Sequence, residues 1–256
     1  MEGGQIVGSL DFATLLFIAF VGFFIALVFY LRREDRREGY PLETDTGGKL
    51  EQPGALWFPT QKRMDLGNGE VALKPDGRRD PANDKMKRLA VWPGAPSEPV
   101  GDPMTAGVGP GAYTMRQDKP DLTHEGVPKI VPMRLLDGFD VAKGDADPRG
   151  MEVLGDDGKP AGVISEIWVD RAEALVRYYE VELTDGARKV LLPYAFTNIK
   201  GKARKAHVNS ILSTHFAGVP AHASPDQVTR LEEDRISAYY AGGMLYATPD
   251  RAEPWI

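Results

Sequence analysis

From Phe12 to Leu31 the chain carries no charged residue, and the seven residues that follow, Arg32-Arg33-Glu34-Asp35-Arg36-Arg37-Glu38, are all charged. A helix rises about 1.5 Å per residue, so the uncharged run is long enough to cross the roughly 30 Å hydrocarbon core of a bilayer. Its side chains are apolar on every face, which suits lipid and not the boundary between a core and water. A chain with one such run has one anchor, and its polar remainder must hang from it.

The run does not have the form of a signal sequence. Glu2 and Asp11 are the only charges before it, and arginines follow it where a small-x-small cleavage site would stand. It also exceeds the roughly 7–15-residue apolar core of a leader. By the positive-inside rule, Arg32, Arg33, Arg36 and Arg37 place residues 1–11 outside, residues 12–31 across the membrane and everything after Leu31 in the cytoplasm. Tyr30 and the four arginines are candidate contacts with anionic lipid headgroups. The same arginines can instead meet a partner, or the carboxylates among them.

The 256 residues allow one span and one soluble domain with a core of its own. A net charge of −6 makes the chain a poor general binder of nucleic acid. Without cysteine there can be no disulfide, thiolate zinc site or cysteine nucleophile. The four histidines (His124, His207, His215, His222) have no paired spacing, so no dedicated metal site is expected.

Residues 32–105 are rich in Pro and Gly, and short strand-like pieces (Ala55 to Phe58, Val71 to Leu73, Leu89 to Trp92) interrupt them. Trp57, Phe58, Trp92 and Met104 are too apolar for a free linker, so this stretch is read as an extended segment lying on a partner. Gly107-Val-Gly-Pro-Gly-Ala112 lacks both a preceding strand and a following Lys-Ser/Thr, so it reads as a tight turn and not a phosphate loop.

Residues 106–256 form the expected globular domain, with a small antiparallel β-barrel over about 134–245. Met151 to Leu154, Ala161 to Val169, Leu175 to Leu183, Arg188 to Pro193, Tyr194 to Ile199 and His207 to Leu212 read as strands, with turns at Gly155-Asp-Asp-Gly158 and Thr184-Asp-Gly186. A helix follows, expected to begin at Ser224 (N-cap) with Pro225 at N1 and Gln227 at N3, and to stop at Gly242-Gly243.

Three carboxylate groups are candidates for chemistry. Asp170 and Glu173 lie close to Arg177, and Glu173 and Arg177 can meet in either an extended or a helical frame. Glu232-Glu233-Asp234 lies between Arg230 and Arg235, and Asp121 shares a loop with His124 and Glu125. Each is equally readable as solvated turn, helix face or loop. No nucleophile–base arrangement is present, so the residues alone describe a membrane-tethered β-domain that is not an enzyme.

Tyr30-Leu-Arg-Arg-Glu-Asp-Arg-Arg-Glu-Gly-Tyr-Pro-Leu-Glu43 resembles the start of the H subunit of the purple-bacterial photosynthetic reaction centre. The likeness continues, in order, through Gly101-Asp-Pro-Met104, Gly107-Val-Gly-Pro110, Lys129-Ile-Val-Pro-Met133, Ile167-Trp-Val-Asp170, Glu180-Val-Glu-Leu183, His207-Val-Asn209, Phe216-Ala-Gly218, Leu231-Glu-Glu-Asp234 and Ala241-Gly-Gly243. The resemblance implies one transmembrane helix and a cytoplasmic PRC-type barrel. It also implies a place in the intracytoplasmic photosynthetic membrane of a bacterium, against the L and M subunits, with an antenna ring and a cytochrome subunit as further expected neighbours. Bacteriochlorophyll, bacteriopheophytin, quinones and non-haem iron are then expected on L and M, and none as a primary ligand of this chain.

The same resemblance implies that the chain caps L and M and carries part of the proton route to the secondary quinone. Asp170 and Glu173 match the family's relay carboxylates, Arg177 the arginine beside them, and Glu233 a further carboxylate. The family's surface His-x-His pair is missing, since the loop reads Leu122-Thr-His-Glu-Gly-Val-Pro128, which leaves His124 and Glu125 as candidates for the point where protons come in. The rival expectations are a scaffold with no relay and a tethered RNA-processing adaptor, since PRC-type barrels also occur in ribosome-maturation factors.

Overall fold

The computed structural model describes residues 5–7, 10–40, 42, 55–67, 69–77, 85–184, 186 and 188–251. The chain divides into two compact units, residues 1–81 with 90–95, and residues 82–89 with 96–256.

In the first unit, strands β1 (Gln5–Val7) and β2 (Leu10–Asp11) pair and lead into helix α1 (Phe12–Glu34). Asp11 caps the helix, its Oδ1 accepting from the Thr14 N–H at 2.8 Å. None of the helix side chains is buried, as an apolar helix with no protein around it requires. The helix outlasts the apolar run. Arg32 to Glu34 stay α-helical and Asp35–Arg37 form a 3-10 turn, because these residues are good helix formers and Glu34 clasps Arg37 at 2.6 Å one turn on. Beyond it, β3 (Lys62–Gly67) and β4 (Glu70–Lys74) make an antiparallel hairpin, so this region is not extended throughout. Ala55–Trp57, expected as strand, is a 3-10 turn.

The second unit begins earlier than the expected boundary at 105/106. Strands β5 (Met86–Arg88) and β6 (Ser97–Pro99) pair within it, while Leu89 to Trp92, expected as strand-like, makes none. Met104 then packs into its hydrophobic core. The core sheet is built on β9 (Pro160–Asp170), which pairs along its length with β10 (Leu175–Leu183). On the other side, β8 (Glu152–Leu154) pairs with the first half of β9 and β7 (Ile130–Pro132) with its end. Strand β11 (Lys189–Pro193) flanks β10, and β12 (Asn198–Lys200) and β13 (Lys205–His207) complete the sheet, β13 running parallel to β8. The expected strand from His207 to Leu212 stops at its first residue, and Tyr194–Phe196 is a 3-10 turn.

Helix α2 (Arg230–Tyr246) starts later and ends later than the sequence suggests. Thr229 is its N-cap and closes a reciprocal capping box with Glu232, at 3.1 and 2.8 Å. Ser224 makes only a local turn, its Oγ accepting from the Asp226 N–H at 3.2 Å. Gly242 and Gly243 lie inside the helix because neighbouring backbone passes there. A Cβ on Gly242 would meet the Gly111 Cα at 3.2 Å, and one on Gly243 would overlap the Ser210 carbonyl and Ile211. Gly109–Gly111, the tight turn, is the segment that crosses this helix.

A carboxylate cluster at the end of β9

Asp170 ends β9 and is 2% exposed. Its Oδ1 accepts from the backbone N–H groups of Ala172 (2.9 Å) and Glu173 (3.1 Å), which builds the turn into β10. Ala174 completes that turn with φ +54°. Asp170 Oδ2 faces Lys129 Nζ at 3.1 Å, and the same ammonium donates to Glu173 Oε1 at 2.9 Å. Lys129 is delivered by the backbone. Its N–H donates to the Asp121 carbonyl, its carbonyl accepts from the Arg171 N–H, and Ile130 after it pairs with Asp170 in the sheet. The hydrogen bonds to Glu173 and Asp170 raise the proton affinity of Lys129, so it stays an ammonium.

Glu173 and Arg177 do not pair. Glu173 lies in the turn, outside the strand frame assumed for it, and Arg177 sits where β10 has an extra residue opposite β9, between Val176 and Tyr178. Such a bulge re-aims a side chain. Here Arg177 comes within 3.8 Å of Glu233, and its neighbour Tyr178 also donates to Glu233, at 3.2 Å. In a regular strand, adjacent side chains point to opposite faces.

Glu233 lies in the first turn of α2, its side chain only 12% exposed. Burial pushes its proton affinity up, against the opposing effects of Tyr178, Arg177 and Arg116. Asp121 is bound by Arg230, and although burial opposes it, that hydrogen bond holds Asp121 below the usual carboxylate range. Arg116 pairs with Asp234 at 3.3 Å. The structure therefore holds Asp170 and Glu173 on Lys129, Arg177 and Tyr178 on Glu233, and Arg230 on Asp121, with Asp121 acting electrostatically on Glu233 and Lys129 on Asp121.

Lys129 and Tyr178 are not singled out by charge pattern or spacing; the sequence signal for Lys129 is its place at the head of Lys129-Ile-Val-Pro-Met133. His124 and Glu125 are exposed on the loop that also carries Asp121 and Lys129. Among the described residues no group of three or more His, Cys, Asp or Glu could hold a metal ion. A separate buried carboxylate, Glu180, accepts from Ser165 and Lys189, each at 2.7 Å, which outweighs the cost of burying it.

In the first unit the arginines after the span turn back on their own chain. Arg36 is 8% exposed, lies within 5.4 to 5.9 Å of the ring centroids of Trp57, Tyr40 and Phe58, and donates to the Trp57 carbonyl. Arg33 donates to the Phe58 carbonyl, and Arg37 to those of Thr60 and Lys74. Arg32 stays largely exposed beside Asp35. Tyr30 is exposed as well.

Residues 4–135 match the photosynthetic reaction centre H-chain N-terminal region, and residues 140–214 match the PRC-barrel domain. The chain belongs to the photosynthetic reaction-centre H-chain family. As an H chain it is an accessory subunit that associates with the reaction-centre L and M subunits in the photosynthetic membrane. Its helix from Phe12 is long and apolar enough to cross that membrane. Lys129 and His124 fall in the first matched region and Asp170, Glu173 and Arg177 in the second.

Proposed function

We propose that this H chain caps the cytoplasmic face of L and M and supplies part of the proton route to the secondary quinone held there. Reducing a quinone to quinol takes two electrons and two protons. A quinone under a protein cap must receive those protons through ionisable side chains and ordered water at hydrogen-bond spacing.

The observation that carries this reading is the pairing of Asp170 and Glu173 on one ammonium, with Asp121 acting electrostatically on Glu233 and burial raising the proton affinity of Glu233. His124 and Glu125, open to water on the same loop, are the proposed uptake point. In this reading the N-terminus is periplasmic and both units beyond α1 are cytoplasmic. The pigments, quinones and iron belong to L and M, and an antenna ring and a cytochrome subunit are outer neighbours. Lipid headgroups meet Arg32, where a cavity of about 430 Å³ is lined by Ile25, Val28, Phe29, Arg32, Arg36 and Trp57.

The test is flash kinetics on assembled reaction centres. Glu173→Gln slows the proton-coupled second electron transfer to the quinone and spares the first. If both steps keep their rates, the route does not run through Glu173.

A further inference from the structure

Two carboxylates share one ammonium at the end of β9, and their surroundings differ sharply. Asp170 is enclosed and accepts from two backbone N–H groups and Lys129, so its partners are all donors. A proton placed on it would displace one of them, and none of these partners is an acceptor to which the proton could pass. The Glu173 side chain is 52% exposed, with one oxygen on Lys129 and free access to water. A proton can reach Glu173 and leave it.

We propose that Lys129 is the positioning residue of the relay, holding the Glu173 carboxylate in place, while Asp170 acts by anchoring Lys129 and not by carrying protons. This rests on the proton-route reading and assigns roles within it. The geometry fits a fixed base. Asp170 is locked by the turn, Lys129 is held by its backbone ties to Asp121 and Arg171 and by the pairing of the next residue in β7, and Glu173 is the exposed end. The Lys129 ammonium, 2.9 Å from Glu173 Oε1, fixes that oxygen while the half-exposed side chain keeps contact with water.

The experiment is the pH dependence of the second electron transfer in assembled reaction centres carrying Lys129→Met, Lys129→Arg, Asp170→Asn and the Lys129→Met/Asp170→Asn double substitution. Asparagine can still accept from the Ala172 and Glu173 N–H groups, so the turn survives while the charge on Lys129's anchor is lost. Lys129→Met is expected to slow the second electron transfer about tenfold across the pH range and to spare the first. Lys129→Arg restores the charge and the parental profile. The double variant is expected to be no slower than Lys129→Met alone, because Asp170 acts through Lys129.

A Lys129→Met profile that coincides with the parent's, while Glu173→Gln is slow, overturns the proposal and leaves the proton route standing. Fully multiplicative losses in the double variant overturn it as well, by showing that Asp170 carries protons on its own. Unchanged rates in Glu173→Gln remove the route and this proposal together. Should Lys129→Met fail to assemble, Lys129→Gln carries the same prediction.

Discussion

Tyr178 donates its phenolic hydrogen to Glu233 at 3.2 Å, joining the bulged strand β10 to the first turn of α2. Burial raises the proton affinity of Glu233, so the folded chain holds this proton at pH values where the unfolded chain, near the ordinary glutamate value of about 4.3, has lost it. Folded stability is therefore lost as pH rises from that value through the raised one. Glu233→Gln is expected to be more stable than the parent at pH 8, with the advantage shrinking toward pH 4. Thermal melts of the detergent-solubilised H chain across that range check this, and a difference that does not vary with pH would refute it.

The true start of α2 can be tested by removing one hydroxyl at a time. Thr229→Ala deletes the acceptor for the Glu232 N–H and the hydroxyl that bonds Asp118, and is expected to cost about 1–2 kcal/mol. Ser224→Ala, at the position the sequence favoured, is expected to change stability by about 0.5 kcal/mol or less. Urea unfolding of both variants decides between the two caps, and equal losses would mean that Thr229 has no special role.

Replacing glycine by alanine inside a helix normally stabilises it by about 1 kcal/mol. Gly243→Ala is expected to do the reverse, because the new methyl group overlaps the Ser210 carbonyl and Ile211 in a filled interior, at a cost of about 1–3 kcal/mol. A raised unfolding midpoint in the variant would show that the loop at Ser210 yields easily.

His124 stands alone in a loop where a His-x-His pair would offer two imidazoles, and no metal-holding group is found among the described residues. Zinc or cadmium is expected to slow proton uptake less than in a relative carrying the pair. Inhibition at micromolar metal, abolished by His124→Ala, is the result that would contradict this.

Much of the fold is legible because strand and turn signals are local. Leu175 to Leu183 is read off its β-branched and aromatic content, and Gly158 adopts φ +70° in the turn where the sequence puts it. The errors lie where distant residues decide. Ser224 and Thr229 both satisfy a capping pattern, and only tertiary placement chooses between them. Gly242-Gly243 looks like a stop until Gly111 and Ser210 are seen against it. Within the site, the pairings differ from those the spacing suggests. The bulge at Arg177 turns it toward Glu233, 56 residues on, and Lys129 reaches Glu173 across 44 residues. The arginines after the span read as contacts of headgroups, of a partner or of the carboxylates among them; Arg32 and Arg37 do meet Asp35 and Glu34, while Arg33, Arg36 and Arg37 also find backbone carbonyls that no periodicity reveals.

The seam between the two matched regions, residues 135 to 140, does not coincide with a seam in the folded unit. Strand β7 lies on one side of it and β9, its partner in the sheet, on the other. Severed there, the C-terminal fragment would present the end of β9 to water as an open edge, with Asp170 deprived of its cation. The barrel in this chain is therefore not a portable cassette. What is recognisable as a unit of descent lacks both strand β7 and helix α2 of the unit of folding, and the segment specific to H chains supplies that strand.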